Sequence, residues 1–492
     1  MRRIVLLFAL SALSLLVLPV AAESAPEFEP DACPMSYSPS LVEGDSINCG
    51  YVTVPLRHAE PDGETIRVAV AVFPARTDSP AAPLFMLQGG PGGSALNDFP
   101  EILSDLPFGQ QMLAERDVVL IEQRGTLHSQ PNLICDEYEA FIRENIETVM
   151  EPEEGVALSL QAMRDCHERL SADIDLSAFN TSESAADIEA VRAALGYETI
   201  HLYGVSYGSQ LAQYYAREFP DALDTLILDA VVPISEGFLE QVAVNAQSAF
   251  DRFFQTCADH PTCSIMFPDL EDTFYSTVAA LNESPDRFRA GDDLENPQNF
   301  YDVVLTGDGL INYIFGALYV TDFIPILPFV IEDVAEGDYE ILSILSTVFD
   351  FDFSLSVGLY YSVICSEIGA VGYDGLSTDN VGPFFQRAFV DYDTIDDICG
   401  FWEVAPVSDS AVQPLQTDMP VLLMSGEFDP ITPPSFADVV AENLPNGINL
   451  MFNAGGHGMF LSECGMAVMA DFLENPLATN TACVDEGAML FD

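Results

Sequence analysis

Short apolar runs, each closed by a glycine-rich or acidic turn, alternate along this chain with stretches of helical spacing. Val68–Phe73, Leu84–Leu87, Asp117–Ile121, Thr199–Val205, Leu226–Val232, Pro420–Ser425 and Ile448–Asn453 read as strands that are apolar throughout. That is the texture of strands covered on both faces. Ser184–Asp187 has the form of a capping box, with Ile188, Val191 and Leu195 on one helical face behind it and Gly196 as the stop. A second helix is expected from Ser206 to about Glu218. Strands alternating with helices predict an α/β fold, a mostly parallel central sheet with helices on both faces. Residues 24–48 read as an irregular, proline-rich start.

The rhythm breaks near Pro233. From 235 to 410 the chain is helical in texture, rich in aromatics and broken by Pro and Gly, and is expected to form a large lid insertion. Leu310–Ile331 and Ile341–Cys365 are strongly apolar, but Asp322, Asp350, Asp352, Pro325 and Pro328 interrupt them. They read as lid helices and not as membrane spans. The α/β core is then split into a first part, 23–234, and a second part, 411–492.

The N-terminus adds a compartment. Met1-Arg2-Arg3, the apolar run Ile4–Val20 and the small residues before Glu23 form a signal peptide over 1–22, cleaved after Ala22. The chain is therefore expected to be exported, periplasmic or extracellular, with no stable membrane insertion after cleavage. Ten cysteines fit that compartment and imply disulfides. The simplest scheme joins sequence neighbours: Cys33 to Cys49, Cys135 to Cys166, Cys257 to Cys263, Cys365 to Cys399 and Cys464 to Cys483. Among the 492 residues, 78 Asp and Glu face 16 basic residues, every one an Arg, for a net charge of −62. Nucleic acid is excluded as a partner, because phosphate binding needs clustered cations. The acidic excess reads as a solvated surface.

Gly204-Val205-Ser206-Tyr207-Gly208 fits G-x-S-x-G between an apolar strand and a helix, the setting of a nucleophile elbow. A serine hydroxyl needs a base, and the base needs an orienting acid. His457, in "AGGHGMF" after the last strand, is the only histidine beyond position 260 and is the expected base. Of the two carboxylates in "SGEFDPITPP", Asp429 is the expected acid and Glu427 a loop carboxylate. Oxyanion donors are expected from the backbone of Tyr207, which follows the nucleophile, and of Gly90 in "QGGPGG", with Gly89 in reserve. Arg124 in "EQRGT" is expected to brace loops by an ion pair, and His201, inside the strand before the serine, to be a satisfied core residue. No histidine pair has metal-ligand spacing, and neither a metal nor an organic cofactor is implied.

"GGPGG", "EQRGT", "GVSYG", "GEFDPITP" and "GHG", in this order and spacing, resemble the proline iminopeptidase and tripeptidyl aminopeptidase group of α/β-hydrolases. The stretch from Ser184 to Pro220 resembles the exported tripeptidyl-aminopeptidase-like branch, as do "VICSE" (Val363–Glu367) and "CGFW" (Cys399–Trp402). The resemblance covers most of residues 50–475. It implies Ser206 as nucleophile, Asp429 as acid, His457 as base, and N–H donors at Gly90 and Tyr207. It further implies an acidic residue near the lid that holds the substrate's free amine, for which Glu367 is the candidate. Two positions depart from the group: Gln88 stands where proline iminopeptidases have His, and Glu122 replaces the usual Asp. The implied activity is a serine exopeptidase acting on peptides with a free N-terminus. A carboxylesterase or lipase would use the same triad, and the apolar lid is compatible with it. A non-catalytic binding protein is the third class, against which a complete set of catalytic residues argues.

Overall fold

The computed structural model describes residues 26–485 apart from 235–236, 295–296, 379 and 390–393, together with 491. The expected signal peptide, 1–22, lies outside the described residues.

Nine strands form one sheet: β1 (Phe28–Pro30), β2 (Asn48–Pro55), β3 (Thr65–Phe73), β4 (Ala81–Leu87), β5 (Arg116–Ile121), β6 (Ile200–Val205), β7 (Leu223–Asp229), β10 (Val421–Gly426) and β11 (Gly447–Phe452). A separate hairpin pairs β8 (Asp286–Gly291) with β9 (Phe300–Leu305). The order in the large sheet is β1-β2-β3-β5-β4-β6-β7-β10-β11. From β5 to β11 every pairing is parallel, while β1 to β3 add an antiparallel edge.

The all-apolar strands follow from burial on two sides. Phe85, Leu87, Val119, Ile121 and Leu202 join one core with the helices Thr181–Leu195 and Tyr207–Glu218. Their neighbours Leu84, Met86, Val118, Leu120 and Tyr203 join the opposite core with Phe99, Leu113 and Phe472. Alternate residues thus enter different cores, and each fully buried large side chain adds roughly 1.5–3 kcal/mol.

Three local expectations change. The strand read as Leu226–Val232 runs instead from Leu223 to Asp229, because Ala230 turns into the left-handed region (φ 51°) and carries Val231 and Val232 out of the sheet. The helix read from Ser184 starts at Thr181. Asn180 caps it by accepting from the Glu183 N–H, and Asp187 is not a cap but a partner of Arg124. Gly196 ends this helix in the left-handed conformation (φ 77°). Strands β1 and β2 and the helices Asp136–Asn145 and Pro152–Ser171 were not expected; β1 lies within the stretch 24–48 read as irregular, where it pairs with β2, which begins at the last residue of that stretch, and the two helices are dominated by polar residues.

Arg124 is fully buried, donating to both Asp187 oxygens (2.7 and 2.6 Å) and to the carbonyls of Leu56 and Ala178 (2.8 and 2.7 Å). A guanidinium with its donors matched this way ties the turn after β5 to the helix before β6. Five disulfides join the sequence neighbours named above. Between β7 and β10 the chain leaves the sheet and builds a core of its own around Phe250, Phe253, Phe274, Leu310 and Phe385. This inserted region holds the helices Val242–Asp259, Gly307–Tyr319 and Val357–Val371 and also the β8–β9 hairpin, so it is not purely helical. Among the described residues no helix is long and apolar enough to cross a membrane.

Candidate active site

Ser206 stands between β6 and the helix Tyr207–Glu218 with φ 58° and ψ −129°. A β-carbon there costs about 1–3 kcal/mol, which the packing around the turn must offset. The surroundings explain why glycines flank it. A Cβ on Gly204 would stand 2.1 Å from the carbonyl oxygen of Gly208. The Ser206 N–H is held by the Asp229 carbonyl (2.9 Å), which anchors the turn to the end of β7.

The loop after β4 lies against this serine. A Cβ on Gly89 would stand 2.7 Å from Ser206 Cβ and 3.2 Å from its Oγ. Gly90 follows with φ 112°. Among the described residues neither the Gly90 nor the Tyr207 N–H has a partner within the chain. Gln88 holds the loop's start: its Oε1 accepts from the Gly89 N–H (2.8 Å) and its Nε2 donates to Asp98. Glu122, fully buried, holds the far end by accepting from Ser94 Oγ and the Leu96 N–H (both 3.1 Å). Burial pushes the Glu122 carboxyl up to about 7 against the pull of these bonds. Both departures from the family pattern therefore stiffen this loop.

Asp429 and His457 come from the turns after β10 and β11. Asp429 Oδ2 meets His457 Nδ1 at 2.8 Å, the acid buried and the imidazole side chain 11% exposed. Asp429 Oδ1 accepts the N–H groups of Ile431 and Thr432 (3.0 and 2.9 Å), an Asx-type turn that aims the other oxygen at the ring. Thr432 Oγ1 donates to Asp429 Oδ2 (2.6 Å) and lies 3.1 Å from His457 Nδ1. Glu427 instead accepts the Ala454 N–H (3.2 Å).

Five contributors carried no sequence signal. Tyr319 receives the His457 N–H on its carbonyl (2.8 Å) and sets its ring 4.6 Å from the imidazole. Thr321 Oγ1 accepts the Gly456 N–H (3.1 Å). Leu355 and Ser356 sit on the glycine loop: the Ser356 N–H donates to the Gly92 carbonyl (2.9 Å), and a Cβ on Gly90 would meet Leu355 Cδ1 at 3.1 Å. Asp229, fully buried, accepts the N–H groups of Met459 and Phe460 (2.8 and 2.9 Å) just past His457. Burial pushes its carboxyl up to about 6 despite those bonds.

Glu367 stands apart from this cluster, buried on the helix Val357–Val371 against the nucleophile's helix. It accepts from Thr181 Oγ1 and from Gln210 Nε2 (2.9 Å), and Thr181 Oγ1 also bonds the Tyr207 hydroxyl (2.8 Å). It lines a narrow cavity of about 30 Å³ with Gln210, Ile234 and Ile364, room for about one water. Burial pushes this carboxyl up to about 7. His201 Nδ1 pairs with Thr225 Oγ1 (2.7 Å) in the core, and burial lowers its imidazole to about 4.

Residues 82–299 match the alpha/beta hydrolase fold family, and residues 383–483 match the family of TAP-like proteins. The serine protease Hip1 of Mycobacterium tuberculosis is 25% identical over 83% of this chain and 81% of its own length. A tripeptidyl aminopeptidase of Streptomyces coelicolor is 32% identical over 42% of this chain and 39% of its own. A proline iminopeptidase of Aeromonas sobria is 28% identical over 42% and 43%. The crystal structure of a Mycobacterium smegmatis proline iminopeptidase aligns over 87% of this chain and 98% of its own, at 17% identity and a TM-score of 0.36. With its parallel sheet, its two family matches and these peptidase relatives, the chain is a serine hydrolase belonging to the tripeptidyl aminopeptidase and proline iminopeptidase-like family of the α/β-hydrolase fold.

Proposed function

We propose that this protein is an exported serine exopeptidase that releases short N-terminal peptides or single residues from peptides with a free amine. The observation that carries the reading is the Asp429–His457 hydrogen bond (2.8 Å), together with a serine held at φ 58° and a glycine loop against its side chain. Ser206 Oγ attacks the scissile carbonyl while His457 Nε2 takes its proton. The proton then passes to the leaving amine, giving an acyl-enzyme that water cleaves by the same exchange. Asp429 holds Nδ1–H and stabilises the imidazolium. The Gly90 and Tyr207 N–H groups receive the oxyanion, and their lack of partners among the described residues supports that role.

Export is supported by the five disulfides, which persist in oxidising compartments. Exo-cleavage is supported by the inserted region acting as a lid, since Leu355 and Ser356 crowd the oxyanion end of the cleft. Glu367 enters this reading as a brace behind Tyr207 and not as the amine's partner, because it is buried against the nucleophile's helix in a cavity with room for about one water.

The test uses Ala-Ala-Pro-arylamide with its N-terminus free or acylated, a p-nitrophenyl ester, and the Ser206→Ala variant. Cleavage of the free-amine peptide alone, lost in Ser206→Ala, is expected. Ester turnover with both peptides untouched would replace the peptidase by a carboxylesterase using the same residues.

A further inference from the structure

We propose that Asp229 is a positioning residue for His457, clamping the histidine's loop to the nucleophile turn through both its backbone and its side chain. The inference rests on the reading of Ser206 and His457 as nucleophile and base. Asp229 is the last residue of β7, between β6, which delivers Ser206, and β10, which delivers Asp429. Its carbonyl accepts the Ser206 N–H at 2.9 Å. Its carboxylate accepts the N–H of Met459 on Oδ1 (2.8 Å) and of Phe460 on Oδ2 (2.9 Å). Tyr203 on β6 adds its hydroxyl to Oδ2 (3.0 Å). One residue therefore holds the start of the nucleophile turn and the chain two residues past the base.

The next residue locks this arrangement. Ala230 takes φ 51°, and its N–H bonds the Met424 carbonyl of β10 (2.9 Å). Gly458, between His457 and Met459, has φ 84°. Charge adds a second effect: Asp229 is fully buried, and against the burial that raises its carboxyl the imidazole's charge lowers it, so the two groups favour each other's ionised forms. Asparagine cannot take over the clamp. Its amide has one acceptor oxygen, so whichever way it is turned an NH₂ meets one of the two backbone N–H groups.

The experiment measures kcat and KM per active site, counted by stoichiometric fluorophosphonate labelling of Ser206 in the full mature chain. Asp229→Asn is expected to lower kcat roughly 10- to 100-fold with KM changed less than about twofold, the signature of a displaced base. The control is Asp187→Asn, which disturbs the buried Arg124 pair of the scaffold and is expected to lower the melting temperature while leaving kcat per labelled site within about twofold.

Should Asp229→Asn not fold, Met459→Pro against Met459→Ala isolates one clamp bond. Both lose the side chain, but only proline removes the N–H, at the first position of the short turn Met459–Leu461. The proline variant is expected to have the lower kcat. Equal kcat in Met459→Pro and Met459→Ala, or an Asp229→Asn variant that behaves like Asp187→Asn, would make Asp229 a plain structural brace and overturn the proposal. Turnover surviving in Ser206→Ala would instead overturn the reading beneath it.

Discussion

The sheet and the inserted region are both apolar, aromatic and well packed, yet they serve the candidate site differently. Every group in the proposed chemistry hangs from the end of a strand: Gly90 after β4, Ser206 after β6, Asp429 after β10 and His457 after β11. The inserted region reaches that cluster with bracing contacts alone, in part through main-chain atoms, as in the Tyr319 carbonyl on the His457 N–H and the Ser356 N–H on the Gly92 carbonyl. The lesson is that a fold can divide chemistry from its bracing. Side chains that react need particular residue types, whereas main-chain braces accept almost any sequence that brings the backbone there.

Four changes test how sharp this division is. Asp429→Asn touches the sheet side at the reacting groups. It keeps the shape but favours the wrong imidazole tautomer, and kcat on the arylamide peptide is expected to fall by about 10⁴. Arg124→Met also belongs to the sheet side but stands outside the chemistry. Removing one member of the buried pair with Asp187 is expected to cost about 3–5 kcal/mol, read from urea unfolding, with kcat of the folded fraction unchanged.

Glu367→Gln probes the seam between the two regions through pH. Burial raises the Glu367 carboxyl from 4.5 to about 7, and Glu122 likewise. Between those values the folded chain holds protons that the unfolded chain has released, so these groups make stability fall as pH rises from about 4.5 to 7. His201, lowered from 6.5 to about 4, acts in the opposite direction between its two values. Unfolding free energies at pH 5 and pH 8 are expected to converge by roughly 2–3 kcal/mol in Glu367→Gln relative to the parent chain. An unchanged difference would mean that this carboxylate is not held neutral. Thr321→Val, on the inserted side, deletes one acceptor for the Gly456 N–H. About 1 kcal/mol is at stake, so kcat should drop no more than about fivefold. A drop comparable to that of Asp429→Asn would erase the distinction between chemistry and bracing.

Legibility followed the same division. The strands β3 to β7 and β10 could be read because burial on two faces demands unbroken apolar runs, but their ends moved: β3 and β4 begin three residues before the apolar runs, at Thr65 and Ala81, and β7 stops before Ala230. The start of the helix at Thr181 was misread because the pattern Ser184-Ala-Ala-Asp187 mimics a capping box, while the true cap is Asn180 and Asp187 serves a distant arginine. Strand β2 escaped notice on the antiparallel edge, and the β8–β9 hairpin within a segment of helical texture.

By itself the sequence determined the α/β architecture, the family, and which residues are chemically competent at each strand end. These follow from local rules: periodicity, turn chemistry and the few residue types that act as nucleophile, base or acid. Only the tertiary structure decided that Thr432 and Tyr319 attend His457, that Glu367 lies behind Tyr207, and that Asp229 joins two loops separated by more than 200 residues of chain. Those roles depend on hydrogen bonds between groups distant in sequence. An aspartate at the end of a strand looks the same in sequence whether it faces water or holds the backbone of a distant loop.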